Sequence, residues 1–461
     1  MIENKLLGLI NILNGPEKRE CSVFLKSPYF NQREDVTRLW ECLLASPACA
    51  AEEAFSHCYP GEAFDDARWR HLQSFLLSRI ENFLAQRAWE QNPVLAELHL
   101  AEVYRRRNEA KALDHVFRRA AARLDKRPRD NEFYQLRYRL EWEQYAAMES
   151  PGHTRDNNLQ AVGNALDLYL LGAKLRLACL MESHRTVFNT DFDTSFLPLL
   201  LQFLDESPLK EEPLIALYYH CYKALRGGEE AHFRAFRGEL ERQSAHLPAD
   251  ERRIFLLLAI NFCIRRLNTG EPRFIREAFD LYGVGLDTGI LLENGLLSRF
   301  AFKNIVALGL RLEQFDWVGQ FIEQYAPFLE EKYRDPNRLY NLARLHYARK
   351  QYQMAMPLLA RVDESDLMLN LDSRVMLLKM YYETGEWDAL DALIASFKIF
   401  LLRKKKSLGY HQAHYLNIIR FVQKLTRLRH NDRQAVAALR EAVQQQPALI
   451  EREWLLDMLL S

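Results

Sequence analysis

The sequence lacks an excess of charge of either sign. Its 461 residues include 62 lysines and arginines and 62 aspartates and glutamates, so the formal net charge at pH 7 is zero. The field of the whole protein therefore favours neither nucleic acid nor an anionic membrane surface. A charged partner would have to be recognised by a local cluster of side chains.

Long apolar runs are also missing, although hydrophobic residues make up 48% of the chain. The longest stretches, around 196–204 and 255–264, reach about half of the ~20 residues that a helix needs to cross a bilayer. The opening segment, MIENKLLGLINILNG, has neither the basic start nor the small-residue cleavage site of a secretory signal. We therefore expect no membrane span and no secretory leader.

Cysteine spacings typical of a disulfide framework are absent. The chain has seven cysteines, an odd number in a large chain, which is typical of unpaired thiols in a reducing compartment. Cys42, Cys49, His57 and Cys58 lie near one another in the sequence, but they lack the CxxC spacing that prearranges two sulfurs around zinc. We expect a cytoplasmic protein with free thiols, no metal site and no cofactor.

Motifs of the common catalytic folds are scarce as well. The chain has no HExxH helix, no GxSxG elbow and no kinase motif set. DFDT at 191–194 has the letters of a phosphatase nucleophile motif, but the polar residues before it predict no buried strand. YGVGLDTG at 282–289 likewise follows no strand, so we interpret it as a glycine-rich loop between helices. We expect a protein that is not an enzyme.

What the sequence does contain is one apolar pattern, repeated three times between Ala301 and Phe397. Phe315, Tyr352 and Trp387 each lie in a short polar turn, 37 residues (315 to 352) and then 35 residues (352 to 387) apart. Apolar residues follow each of them after three, seven and ten positions, a spacing that only a helix places on one face. Another helical run precedes each turn, so the pattern predicts that each unit is a pair of helices.

A period of ~34 residues with two helices per unit indicates a solenoid, because one helical pair cannot bury its apolar face alone. Similar pairs are predicted upstream, from 94–125 onwards, and a helix at about 449–460 would cap the array. We expect an all-α, right-handed helical-hairpin solenoid with few or no strands. The predicted regions are an N-terminal helical region (1–92), first repeat-like hairpins (93–150), irregular helical repeats (151–300), and clearer repeats with a C-terminal cap (301–461).

The repeated unit resembles the tetratricopeptide-repeat family. The first unit departs from the family pattern, with Gly309 in place of an aromatic residue and Val318 in place of a small alanine, so the repeats are expected to be degenerate. FLKSPYFN, FKNIVALGLRLEQFDW and RVMLLKMYYETGEWDAL also resemble segments of a bacterial family of tetratricopeptide-like helical-repeat proteins, a resemblance that supplies no function. The residues that match the family signature are Tyr381, Gly385, Trp387, Leu390, Ile394 and Phe397 in the third unit, and Tyr352, Ala355 and Leu359 in the second.

The family resemblance implies a groove that binds a protein or peptide partner through residues of the first helix of each unit. The chain lacks the paired lysine and asparagine arrangement of tetratricopeptide domains that clamp a terminal carboxylate, so the partner is left open, as is the oligomeric state. The positions carried over are Lys303 in the first unit, Asn337, Tyr340, Arg344 and Tyr347 in the second, and Asp372, Lys379 and Tyr382 in the third.

Two basic clusters support an alternative function, the binding of nucleic acid by a helical-repeat protein. The first spans 105–129, where ten basic residues stand against three acidic ones, and the second spans 398–406. In a neutral helical protein such runs are also typical of a solvated face. The clusters consist of Arg105, Arg106, Arg107, Lys111, Arg118, Arg119, Arg123, Lys126, Arg127 and Arg129, and of Lys398, Arg403, Lys404, Lys405 and Lys406.

Overall fold

Helices account for most of the chain that the computed structural model describes, namely residues 4–47, 49–148, 157–188, 190–362, 366–408, 411–428 and 433–460. The earlier helices are α1 (Asn4–Ile12), α2 (Gly15–Lys26), α3 (Glu34–Ala45), α4 (Ala51–Cys58), α5 (Asp66–Glu90), α6 (Pro93–Arg106), α7 (Ala110–Leu124), α8 (Asn131–Met148), α9 (Leu159–Phe188), α10 (Leu197–Glu206), α11 (Pro213–Gly227) and α12 (Glu230–Gln243). The later helices are α13 (Ala249–Asn268), α14 (Phe274–Asp287), α15 (Arg299–Arg311), α16 (Phe315–Tyr325), α17 (Glu331–Ala348), α18 (Tyr352–Ala360), α19 (Leu367–Thr384), α20 (Trp387–Arg403), α21 (Lys405–Leu408), α22 (His411–Leu425), α23 (Arg433–Gln445) and α24 (Arg452–Met458).

The chain divides into two compact units. Unit 1 comprises Met1–Ala178 and Thr194–Tyr218, and unit 2 comprises Cys179–Asp193 and Tyr219–Ser461. Two of the three divisions fall within α9 and α11, and the third lies between α9 and α10. The boundary predicted at residue 150 lies outside the described residues, and the four regions named from the sequence stay a prediction.

Helix ends follow local sequence signals. At the start of α2, the Asn14 side chain accepts a hydrogen bond from the Glu17 backbone N–H, and the Glu17 carboxylate accepts one from the Asn14 N–H, both at 2.9 Å. This capping box satisfies two of the amides that a helix start leaves unpaired. At the end of α19, Gly385 has φ 74°, the left-handed conformation that glycine adopts without a steric penalty.

Helices that are neighbours in sequence pack as pairs. In unit 2 the pairs are α13 with α14, α15 with α16, α17 with α18, and α19 with α20. We call the earlier member of each pair its first helix and the later member its second helix. The first helices α15, α17 and α19 also contact one another in turn. The packing agrees with the all-α prediction and is consistent with a helical-repeat array.

Each unit has its own apolar core. In unit 1, Trp40 and Trp69 are fully buried, and the Trp40 indole N–H donates to Ser22 Oγ at 2.8 Å. In unit 2, helices α19, α20 and α22–α24 share a cluster that includes Phe397 and Leu455, both inaccessible to solvent. Phe397 belongs to the apolar stripe that the repeat pattern predicts to be internal.

The two departures of the first repeat face each other. A Cβ atom placed on Gly309 of α15 would lie 2.5 Å from Val318 Cγ2 of α16, which is far inside van der Waals contact. Val318 is fully buried, so the larger second-helix side chain occupies the space that glycine leaves on the first helix. The repeat therefore keeps close helix packing with the large and small residues exchanged.

One segment forms strands. Residues Leu292–Glu293 (β1) and Leu296–Leu297 (β2) pair antiparallel around Asn294 and Gly295, whose φ angles of 52° and 78° are both positive. Asn-Gly between apolar residues is the signal for a two-residue hairpin turn of this kind. We expected few or no strands, and within the described ranges this hairpin is the only one.

The prediction of a glycine-rich loop at 282–289 is wrong for most of this range. Gly283 and Gly285 lie inside α14, which continues to Asp287. The physical reason is close packing, because a Cβ on Gly285 would come within 2.6 Å of Leu291 and 2.7 Å of Leu256. Glycine is used here for contact between elements instead of for a turn.

Candidate functional site

An open cavity lies on the first-helix face of unit 2. Its volume is about 380 Å³, and α13, α15 and α17 all contribute to its wall. The apolar part comes from residues such as Ile264, Leu267 and Leu308, and the polar part comes from Asn268, Asn304, Arg311 and Arg344.

Arg344 is the one residue of this cavity that the family resemblance predicts as partner-binding. Its Nη1 donates to the Lys303 carbonyl oxygen at 3.3 Å and to Asn341 Oδ1 at 3.2 Å, so the guanidinium is held in place. Arg311 makes no ion pair with any described residue and is exposed. The cavity therefore presents two cations, only one of which is fixed by neighbours.

Asn304 gives the cavity a positioned amide. Its Nδ2 donates to the Tyr282 hydroxyl at 3.2 Å. Burial raises the pKa of Tyr282, so the neutral hydroxyl is the form that accepts this bond. Among the described residues, no hydrogen bond engages the Asn304 side-chain carbonyl oxygen or the Asn268 side chain, and both residues line the cavity.

Residues predicted from three repeats meet beside the cavity. Lys303 Nζ forms an ion pair with Asp372 at 2.6 Å and lies 5.9 Å from the centre of the Tyr340 ring. The Tyr415 hydroxyl donates to the same carboxylate at 3.4 Å. First-helix positions far apart in sequence are therefore in contact with one another.

The remaining predicted positions of the third repeat lie against α24. Lys379 pairs with Glu451 at 2.7 Å, and its ammonium lies 5.6 Å from the centre of the Trp454 ring. Trp454 also packs edge-on against Tyr382, with ring centres 5.6 Å apart. A segment of the chain itself thus covers this part of the first-helix face.

Glu383 collects three hydrogen bonds in the same contact. The Trp454 indole N–H donates to its Oε1 at 2.7 Å, and the hydroxyls of Tyr347 and Tyr352 donate to its two oxygens. Burial and the adjacent Glu383 carboxylate raise the pKa of both tyrosines. The hydroxyls therefore stay protonated and act as donors.

Two predicted partner-binding residues lie in the interior. Asn337 is 4% exposed, and its Nδ2 donates to the Tyr333 carbonyl oxygen at 2.8 Å. Tyr340 is 6% exposed. Both stay predictions as partner-binding residues.

The sequence analysis did not predict the cavity residues Asn268, Asn304 and Arg311. The helical spacing of Asn304, Leu308 and Arg311 was a sequence signal that could have identified two of them, because it places these side chains on one face of a helix.

Many arginines of the first basic cluster pair with carboxylates. Arg105 contacts Glu143 at 3.1 Å, and Arg119 and Arg123 both contact Glu97, at 2.6 Å and 3.0 Å. Arg106 and Arg127 pair with Glu102 and Glu132. The local excess of positive charge is thereby reduced, while Arg107 and Lys111 are exposed without an ion pair among the described residues.

The second basic cluster is divided between helices. Lys398 lies in α20 and donates to Gln423 Oε1 at 2.9 Å, while Arg403, Lys404 and Lys405 are exposed. The side chain of Lys406 lies outside the described residues. Binding of nucleic acid by either cluster stays a prediction.

The cysteines are free thiols in this structure. Cys42 and Cys49 have their sulfurs 4.0 Å apart, and burial raises the pKa of Cys58 to about 12, so that thiol is protonated at neutral pH. Across the described part of the chain, no group of three or more histidine, cysteine or acidic side chains is arranged to hold a metal ion.

Fold and surface together define a class: an all-α protein whose helices pack in adjacent pairs, with an open cavity on the first-helix face. Within the ranges described, no helix is both long and apolar enough to cross a membrane. No protein-family model matches the chain, and no curated protein or solved structure matches it significantly.

Proposed function

We propose that the protein is a non-catalytic binding scaffold, a right-handed tetratricopeptide-like solenoid that holds a peptide or protein segment on its first-helix face. The observation that carries the proposal is the cavity of about 380 Å³ to which three successive first helices contribute. A concave apolar wall with a few fixed polar groups is the usual form of a binding site. Unpaired thiols suit action in the cytoplasm.

The lining of the cavity favours an acidic segment. Arg311 and Arg344 supply guanidinium groups, and planar guanidinium groups bind carboxylates in a two-pronged geometry. Ile264 and Leu267 supply apolar contact beside them. The ligand with matching chemistry is a peptide that carries an aspartate, glutamate or terminal carboxylate next to an apolar side chain.

The contact with α24 supports binding of segments to this face. There the first helix α19 holds a short helix through one indole ring, one ion pair and one hydrogen bond, which the indole N–H donates to Glu383. Aromatic anchors of this kind dominate the binding energy of many interfaces. A partner segment would use the same kind of contact at the neighbouring, open part of the face.

The test selects peptides from a random library displayed on phage against the full chain, followed by affinity measurement with a labelled selected peptide. We expect enrichment of carboxylates beside apolar residues. Arg311→Glu should weaken binding on the order of tenfold or more, because it places like charges together. The matched control is Arg19→Glu, since Arg19 is exposed on α2 and has no ion pair among the described residues.

Two results would remove the proposal. One is a selection without enrichment of carboxylates. The other is undiminished binding by the Arg311→Glu protein when its melting temperature equals that of the control.

A further inference from the structure

A second cavity lies between second helices of unit 2. It has a volume of about 430 Å³ and is lined by the second helices α14 and α16 of unit 2. It shares no lining residue with the first-helix cavity. We propose that this cavity binds an arginine side chain of a basic partner peptide, stacked on Trp317 and paired with Asp280 and Asp287. The site goes beyond the proposed function and does not depend on it.

Aromatic rings form a continuous ladder along α16. Trp317 and Phe321 are stacked, with ring centres 5.3 Å apart and planes 8° apart, and Phe321 stacks on Tyr325 at 5.0 Å. Phe279 of α14 packs against Trp317 in an edge-to-face arrangement, with ring centres 4.7 Å apart. The ladder therefore reaches across from one second helix to the next.

Packing accounts for only part of this ladder. Phe321 is buried, but Trp317 is 36% exposed and the adjoining Val284 is 53% exposed. A large aromatic ring at the mouth of a cavity is the usual platform for a guanidinium or another cation. The exposed aromatic surface is thus available to a ligand.

The charge of the cavity wall has one sign. Asp280 and Asp287 both line it, and they lie two helical turns apart on one face of α14. Neither forms an ion pair with a described residue, and no lysine or arginine lines the cavity. Gln320 and Gln324 supply amide oxygens from α16. Every polar group on the wall can therefore accept hydrogen bonds, while the wall lacks a cation.

Arginine fits this wall better than lysine does. Its planar guanidinium can lie flat on the Trp317 ring while its N–H groups, which are all donors, point outwards to carboxylate and amide oxygens. An ammonium group is a compact, strongly hydrated charge and cannot stack in this way. The chemistry of the site therefore selects an exposed arginine.

Gly283 keeps the cavity open. It lies between the two aspartates on the same face of α14, and a Cβ atom placed there meets nothing within 4 Å. A longer side chain at this position would enter the cavity without displacing the protein. Gly283→Gln thus fills the site while leaving its charge unchanged.

The experiment titrates the full chain with a fluorescein-labelled peptide of alternating arginine and serine. Fluorescence anisotropy is compared with the same peptide carrying lysine or citrulline, which keeps the planar shape of arginine but is uncharged. We expect the arginine peptide to bind at least on the order of tenfold more tightly than either comparator. Asp280→Asn with Asp287→Asn, and separately Gly283→Gln, should each weaken binding to a similar extent.

The matched control is Gly238→Gln. Gly238 lies inside α12, and a Cβ atom there also meets nothing within 4 Å, so this change has the same helix chemistry away from the cavity. Unchanged binding by the control together with loss in both cavity variants supports the site. Equal binding of the arginine and citrulline peptides, equal binding of the arginine and lysine peptides, or unaltered binding by the cavity variants overturns it.

Discussion

At the scale of single residues, Gly309 and Val318 exchange the sizes that a tetratricopeptide unit usually has at these positions. Gly309→Ala should lower the free energy of unfolding, because the added methyl group overlaps Val318 Cγ2 and such overpacking costs about 1–3 kcal/mol. The double variant Gly309→Ala with Val318→Ala should be more stable than the sum of the two single changes predicts. Urea unfolding of all four proteins measures this coupling.

The control for the glycine change is Gly238→Ala, where a Cβ atom has open space. There the substitution should stabilise the protein by about 0.5–1 kcal/mol, the ordinary gain from replacing glycine in a helix. Additive effects of Gly309→Ala and Val318→Ala would contradict the proposed exchange of sizes.

Buried thiols make the folding stability of the protein decrease at alkaline pH. Burial raises the pKa of Cys21, Cys58 and Cys263 from 9.0 to about 12. In the unfolded chain these thiols ionise from about pH 9 upwards, whereas in the folded protein they keep their protons. The folded state then binds more protons than the unfolded state, so stability is retained below pH 9 and decreases as the pH rises towards 12.

The measurement is urea unfolding at pH 8, 9 and 10 under reducing conditions. Replacing the three cysteines by alanine should flatten the decrease above pH 9, whatever its effect on stability at pH 8. An equally steep decrease in the substituted protein would show that other groups are responsible.

At the scale of elements, α24 depends on its contact with α19. Trp454→Ala removes the ring that packs on Tyr382 and the donor to Glu383, and loss of a buried tryptophan typically costs about 3–5 kcal/mol. We expect the midpoint of thermal unfolding to fall and the amides of α24 to lose protection from hydrogen exchange. Trp454→Phe, which keeps an aromatic ring but no N–H donor, should lie between.

Leu460→Ala is the control for α24, because Leu460 is 69% exposed and close to the same helix. It should leave both the midpoint and the exchange of α24 unchanged. Full protection of α24 in the Trp454→Ala protein would show that the indole does not hold the helix.

The helices themselves could be predicted from the sequence, because helical periodicity is a local property. The stripe that starts at Trp387 and the glycine that ends α19 define their elements without tertiary information. The Asn294-Gly295 hairpin was also readable but was missed, since it interrupts helices and spans few residues. The continuation of α14 through Gly283 and Gly285 was not readable, because close contact with Leu256 and Leu291 decides it.

At the scale of the whole molecule, the net charge is zero, but the two cavities carry charges of opposite sign. The first-helix cavity is lined by Arg311 and Arg344, whereas the second-helix cavity is lined by Asp280 and Asp287. The resemblance to tetratricopeptide repeats led to Arg344 but not to the other three. Cavities form from residues of separate helices, so their composition depends on packing that one linear pattern does not contain.

The short length of α24 has a practical consequence. It has seven residues, and the residue before it, Glu451, has a positive φ of 53°, a conformation that is unfavourable for a residue other than glycine. A helix this short has little stability of its own in water. Hydrogen exchange of its amides therefore reports directly on the state of the neighbouring first-helix face, without any label attached to the protein.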